Sequence, residues 1–169
     1  RRQDNHLVTR VAHVGAGGPA VRKGAIAQAD WTDSQFDPRV TWRDVEWLRS
    51  EWSGPIILKG VQRVDDATIS VGEGMDAIVL SNHGGRQLDS SPSSLELLPR
   101  VADAVGADIE IMCDGGVRSG SDIVKAVALG ARATMAGRAY MYALGAAGET
   151  GVDFVLGLFA REVRSAIAG

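Results

Sequence analysis

The 169-residue sequence has a single cysteine, Cys113, which leaves no intramolecular disulfide and no thiolate metal cluster. In the run Ile109-Glu110-Ile111-Met112-Cys113 it reads as a small buried residue. Basic charge is not in excess either. A formal net charge of -3 and a pI near 5.6 provide no positive field for nucleic acid. The apolar runs are too short, or too often interrupted by charge, to cross a bilayer. No signal-peptide pattern is present, and the sequence starts at Arg1 rather than methionine, which suggests a piece of a longer protein. No histidine or carboxylate cluster has metal-ligand spacing, and no Rossmann fingerprint points to a nicotinamide cofactor. His6 and His13 fall in a poorly patterned stretch and are expected to be exposed.

What is present is enough chain for one domain with a sizeable core. Residues 1–40 carry little apolar periodicity, and Gly15 to Gly18 with the polar stretch Gln28 to Arg39 read as a long variable loop. From Thr41 the pattern changes. Thr41 is the expected N-cap of a helix in which Val45, Leu48 and Trp52 recur at helical spacing, and Trp42, Trp47 and Trp52 are expected to pack. Gly54-Pro55 ends that helix, and Ile56-Ile57-Leu58 forms a buried strand finishing at Lys59.

Three more units follow. A weak helix from Val64 to Gly74 leads to the strand Ala77–Leu80, and a helix Leu95–Val105 leads to the strand Ile109–Cys113. Ser119 or Ser121 caps a helix Asp122–Leu129, before the strand Ala133–Ala136. A last helix, about Asp153 to Ala168, is expected to bury Leu156, Phe159, Val163 and Ile167. Strand and helix alternating through four units predict a parallel sheet with crossover helices. A complete (β/α)8 TIM barrel takes about 250 residues, so residues 41–169 are expected to be half of one. Ile57, Val79 and Ile111 are expected on the inner face of its sheet.

The polar groups cluster where such a barrel does its chemistry, at the carboxyl ends of the strands. Ser81-Asn82-His83-Gly84-Gly85-Arg86-Gln87-Leu88-Asp89 follows the second strand. The two glycines allow a sharp turn. A histidine exchanges protons readily in this setting, and an arginine fork grips a carboxylate through two hydrogen bonds. His83 and Arg86 therefore suit a small acid that reacts at its α-position. Asp114-Gly115-Gly116-Val117-Arg118 and Gly137-Arg138 follow the third and fourth strands, where barrels frequently bind phosphate. A phosphate site alone does not specify a flavin.

The stretch SNHGGRQLD resembles the signature of the FMN-dependent α-hydroxy acid dehydrogenases and oxidases, which include glycolate oxidase, L-lactate dehydrogenase and mandelate dehydrogenase. The resemblance recurs at Pro55 to Gly60, Asp114 to Arg118 and Gly137-Arg138, and is continuous from about Thr41. It implies that these four units are strands five to eight of the family's barrel. It also implies that His83 is the catalytic base and Arg86 the substrate carboxylate clamp. Cofactor contacts would come from Lys59, beside the flavin pyrimidine, and from Ser81. Asp114 would meet the ribityl hydroxyls, and Gly115, Gly116, Val117, Arg118, Gly137 and Arg138 would surround the phosphate. Arg1 is a candidate second carboxylate contact, and no partner for the imidazolium of His83 is evident in this chain.

The resemblance thus implies an enzyme that oxidises an (S)-2-hydroxy acid to a 2-oxo acid with FMN, by hydride transfer or through a carbanion. L-lactate is the expected substrate, giving pyruvate, with glycolate and mandelate as alternatives. The electron acceptor (oxygen, quinone or cytochrome) is left open. A homo-oligomer located in the cytoplasm, or peripheral to the inner face of the membrane, is expected. Two other readings stand beside this one: a phosphate-binding barrel half without flavin, and a non-catalytic truncated fragment. The 169 residues alone are expected to be inactive.

Overall fold

The structure, a computed structural model, describes residues 39–168. The expectations for Arg1, His6, His13 and most of the 1–40 loop lie outside those residues. Thr41 opens helix α1 (Trp42–Glu51): its N–H and hydroxyl both donate to the Asp44 carboxylate, at 2.8 and 3.1 Å, closing the first turn. From Val45 onward the chain forms one compact unit. Trp47 and Trp52, expected to pack, are exposed, and Trp52 packs only locally, on the turn after α1. There Trp52 donates its indole N–H to the Pro55 carbonyl at 3.1 Å and lies over Gly54.

The alternation read from the sequence is present. Strand β1 (Ile57–Val61) is followed by α2 (Val64–Gly72), β2 (Ala77–Leu80), α3 (Ser94–Val105) and β3 (Glu110–Asp114). Helix α4 (Gly120–Ala128), β4 (Ala133–Met135) and α5 (Arg138–Ala168) complete the order. The strands pair in parallel in the order β1-β2-β3-β4. A sequential parallel sheet with a helix after each strand is part of a (β/α)8 barrel.

The side-chain period of two along each strand divides the sheet into two faces. Ile78, Leu80, Ile111 and Cys113 face the helices, where they pack with Leu97, Leu98, Val101, Ala67 and Ala126 in one apolar core. Ile111 is therefore not on the inner face. It pairs with Ile78, while Met112 pairs with Val79 on the other side. Ile57 and Met135 on that inner side are exposed, although Val79 is buried.

Several boundaries differ from the sequence reading. Strand β1 does not stop at Lys59 but runs on to Val61 through a bulge at Gly60, whose φ of +104° suits glycine. Strand β3 extends one residue further, so Asp114 is its last residue rather than the start of the loop. Helix α5 begins about fifteen residues before the expected Asp153, and its glycines lie within or between two helical segments. The segments, 138–146 and 149–168, are separated by a break at Ala147 and Gly148. Of the four residues expected to be buried in its second segment only Phe159 is; Leu156 and Ile167 are exposed. By length and composition α5 could cross a bilayer, contrary to expectation. The break interrupts that span, and the second segment docks on α4, where Glu162 accepts from the Gly120 N–H at 2.6 Å.

At the amino ends of the strands Arg49 ties three segments together. It donates to the carbonyls of Gly54 and Gly74 and pairs with Asp76 at 3.2 Å. Asp76 in turn accepts from the Ile56 N–H at 2.7 Å. That bond, followed by Arg49, holds the Asp76 carboxyl below its ordinary range.

Candidate active site

Lys59, Ser81 and Asp114 come from three successive strands and share the inner face at its carboxyl end. Parallel pairing places them so: Lys59 pairs with Val79, two residues before Ser81, and Leu80 pairs with Cys113, so Ser81 stands beside Asp114. Lys59 Nζ lies 2.7 Å from Asp114 Oδ2 and donates to Ser81 Oγ at 3.0 Å. Ser81 is fully buried, whereas the Lys59 side chain keeps 38% of its exposure. The second carboxylate oxygen of Asp114, Oδ1, is buried without a partner. A buried acceptor with no donor costs free energy, so this oxygen marks a place where a ligand donor fits.

The loop after β2 is wound tightly. His83, Gly84 and Gly85 form a 3-10 turn, with φ of +54°, +69° and +76° in succession. The His83 N–H donates to Ser81 Oγ at 3.1 Å, and the Gly84 N–H to Asn82 Oδ1 at 2.9 Å. The imidazole rests on the bulge of β1. A Cβ on Gly60 would lie 2.8 Å from His83 Cε1, so only glycine leaves room for the ring. His83 is exposed, as is Arg86 just beyond the turn.

Gly115 and Gly116, with φ of +89° and +84°, turn the chain between Asp114 and the buried Val117. The Arg118 side chain is exposed, and its N–H donates to Asp122 Oδ2 at 3.0 Å. Gly137 precedes α5, and Arg138, the first residue of that helix, reaches the loop after β2. Its Nη2 would stand 3.3 Å from a Cβ on Gly84. The structure thus puts Lys59 in contact with both Ser81 and Asp114, and sets Arg138 beside the loop that carries His83. Arg86 and Arg118 reach toward solvent at its edges.

Cys113, next to Asp114, is buried as expected, and its thiol is pushed up to about 11 by burial and then by the Asp114 charge. A cavity of about 460 Å³ lies at the opposite rim, at the amino ends of the strands. Asp76, Asp108, Glu110 and Arg132 are among its lining residues, and it contains none of the site residues.

The model of the FMN-dependent dehydrogenases matches residues 3–169. The chain belongs to that family. It is 53% identical over 134 residues to an L-lactate dehydrogenase of Alcaligenes faecalis, a match covering 79% of this chain and 35% of that protein. It is 48% identical over 160 residues to the pre-mycofactocin synthase of Mycolicibacterium smegmatis, covering 95% of this chain and 39% of that one. Among solved structures, a mandelate oxidase variant with an FMN monooxide adduct superposes with a TM-score of 0.74 at 47% identity. That superposition covers 76% of this chain and 41% of the oxidase. The chain therefore spans well under half the length of the relatives it matches.

Three contributors were not assigned a role from the sequence. Gly60 makes room for the imidazole, Asn82 holds the loop, and Gln62 donates to the Ser81 carbonyl at 3.1 Å. The glycine after Lys59 and the asparagine before the His-Gly-Gly run were the only local signals for the first two.

Proposed function

We propose that the protein carrying this sequence oxidises a 2-hydroxy acid to a 2-oxo acid with FMN, and that L-lactate is its substrate. The observation that carries this reading is the convergence of Lys59, Ser81 and Asp114 beside the His83 loop in a member of the FMN-dependent dehydrogenase family. The residues fit the cofactor. The partnerless Asp114 Oδ1 suits a ribityl hydroxyl, and the Gly115-Gly116 turn admits close backbone approach. Arg118, Arg138 and the start of α5 beside that turn suit a phosphate. FMN, when bound, supplies the two-electron acceptor for the substrate Cα.

The protein's own residues do the rest. Arg86 grips the substrate carboxylate and fixes the orientation of Cα. His83 takes the proton of the substrate hydroxyl, and its exposed position on the glycine turn leaves the ring accessible. Lys59 places positive charge where negative charge builds up during reduction, and Ser81 holds its ammonium in place.

Expected kinetics follow from these roles. His83→Gln should keep FMN bound and lose about 10²–10⁴-fold in turnover, the usual contribution of a general base. Arg86→Lys should raise KM and lower kcat together, since a point charge does not orient a carboxylate. Steady-state assays with L-lactate check both, and near-normal turnover of His83→Gln would reject the base.

A neutral alcohol of the same size oxidised as well as L-lactate by the unaltered enzyme would reject the carboxylate role of Arg86.

A further inference from the structure

We propose that Asn82 is a positioning residue for His83: it holds the left-handed backbone of the base and ties it to the segments on either side. His83, Gly84 and Gly85 occupy the left-handed region in succession, and His83 is the one among them with a Cβ that disfavours it. Such a conformation persists only where the surroundings impose it. Two side chains do so here. Ser81 accepts from the His83 N–H, but its hydroxyl also takes the bond from Lys59. Asn82 is engaged by no charged group and works at both ends. Its Oδ1 accepts from the Gly84 N–H at 2.9 Å, and its Nδ2 donates to the Pro92 carbonyl at 3.3 Å, next to the N-cap Ser93 of α3.

The same Oδ1 lies 3.3 Å from where a Cβ on Gly115 would stand. One amide therefore packs against the turn after β3 while it braces the loop after β2 and the entry to α3. The asparagine amide supplies the acceptor and the donor on separate atoms of one short stem, both of which alanine lacks and of which aspartate keeps the acceptor. A base misplaced by a fraction of an ångström loses its line to the reacting proton, so removing the amide should act on the chemical step.

The test uses the FMN-loaded enzyme and its Asn82→Ala and Asn82→Asp variants. The inference rests on the proposed function for its kinetic arm, so a second arm reads the loop itself. Asn82→Ala should exchange the Gly84 amide hydrogen at least about 10-fold faster than the unaltered protein, as expected for a lost hydrogen bond that limits local opening. Asn82→Asp keeps the Oδ1 acceptor and should restore protection. In the kinetic arm Asn82→Ala should lower kcat by about 10–100-fold. KM and FMN affinity should change far less, and the Cα-deuterium isotope effect on kcat should grow. Asn82→Asp should turn over faster than Asn82→Ala at a pH where the base is free. Unchanged Gly84 exchange, or a kcat loss that merely tracks lost FMN, would overturn the positioning role. If the unaltered FMN-loaded enzyme oxidises no 2-hydroxy acid, the proposed function fails, and Gly84 exchange still decides the inference.

Discussion

At the scale of single residues, the candidate site lies in contiguous motifs. His83, Arg86 and the Asp114-Gly115-Gly116 turn were each legible as candidates because side chain and glycine partner sit within a few positions of each other. Gly60 and Asn82 were not, since what they do depends on neighbours supplied by the fold. Gly60 matters because the loop after β2 lays an imidazole on it from more than twenty positions away. Gly60→Ala would bring a methyl against His83 and impose a φ of +104° on a residue with a Cβ. We expect a loss of about 1–3 kcal/mol in stability and a fall in kcat larger than the change in KM. Thermal unfolding and steady-state kinetics on the same variant check this. A variant as stable and as active as the parent would show that the ring does not rest on the bulge.

At the scale of elements, strand identity and order were legible because short apolar runs bounded by glycine and charge allow little else. Strand ends were less so. The bulge that carries β1 past Lys59 depends on pairing with β2, and no local pattern announces it. The early start of α5 was hidden by Gly145, Gly148 and Gly151, a residue type that disfavours helix, although of the three only Gly148 lies at the break. For α4 two serines were candidate caps, and the structure selects Ser119. Its hydroxyl accepts from the Asp122 N–H at 3.2 Å, while the Asp122 carboxylate accepts from the Ser119 N–H at 3.0 Å.

That capping box follows the turn assigned to phosphate and has a pH signature. The Arg118 N–H, then the hydroxyl and N–H of Ser119, hold the Asp122 carboxyl below its ordinary value against partial desolvation. A carboxyl lowered in the folded state stabilises the fold fully above its unfolded value of about 4 and loses that contribution as pH falls through the folded value. Ser119→Ala should cost about 1 kcal/mol near neutral pH. Asp122→Asn should reduce stability there and flatten the decline below about pH 4. Denaturant unfolding across pH measures both, and an unchanged acid decline in Asp122→Asn would place its origin elsewhere.

At the scale of the whole molecule, four parallel βα units account for the placement of every described site residue: each strand delivers its polar groups at one rim. The other rim is held by Arg49, Asp76 and their backbone partners, and carries none of the site residues. Exposed Ile57 and Met135 on the inner face fit a sheet that needs further chain to close, as does a length well under half that of its relatives. The central claim is that this rim holds FMN and lets a 2-hydroxy acid reduce it through His83. The most direct measurement is anaerobic addition of L-lactate to the FMN-loaded enzyme while the visible flavin absorbance is recorded. The account predicts bleaching in the unaltered enzyme, slowed about 10²–10⁴-fold in His83→Gln with flavin still bound. Retained flavin that neither L-lactate, glycolate nor mandelate bleaches, or bleaching at the same rate in His83→Gln, would contradict it.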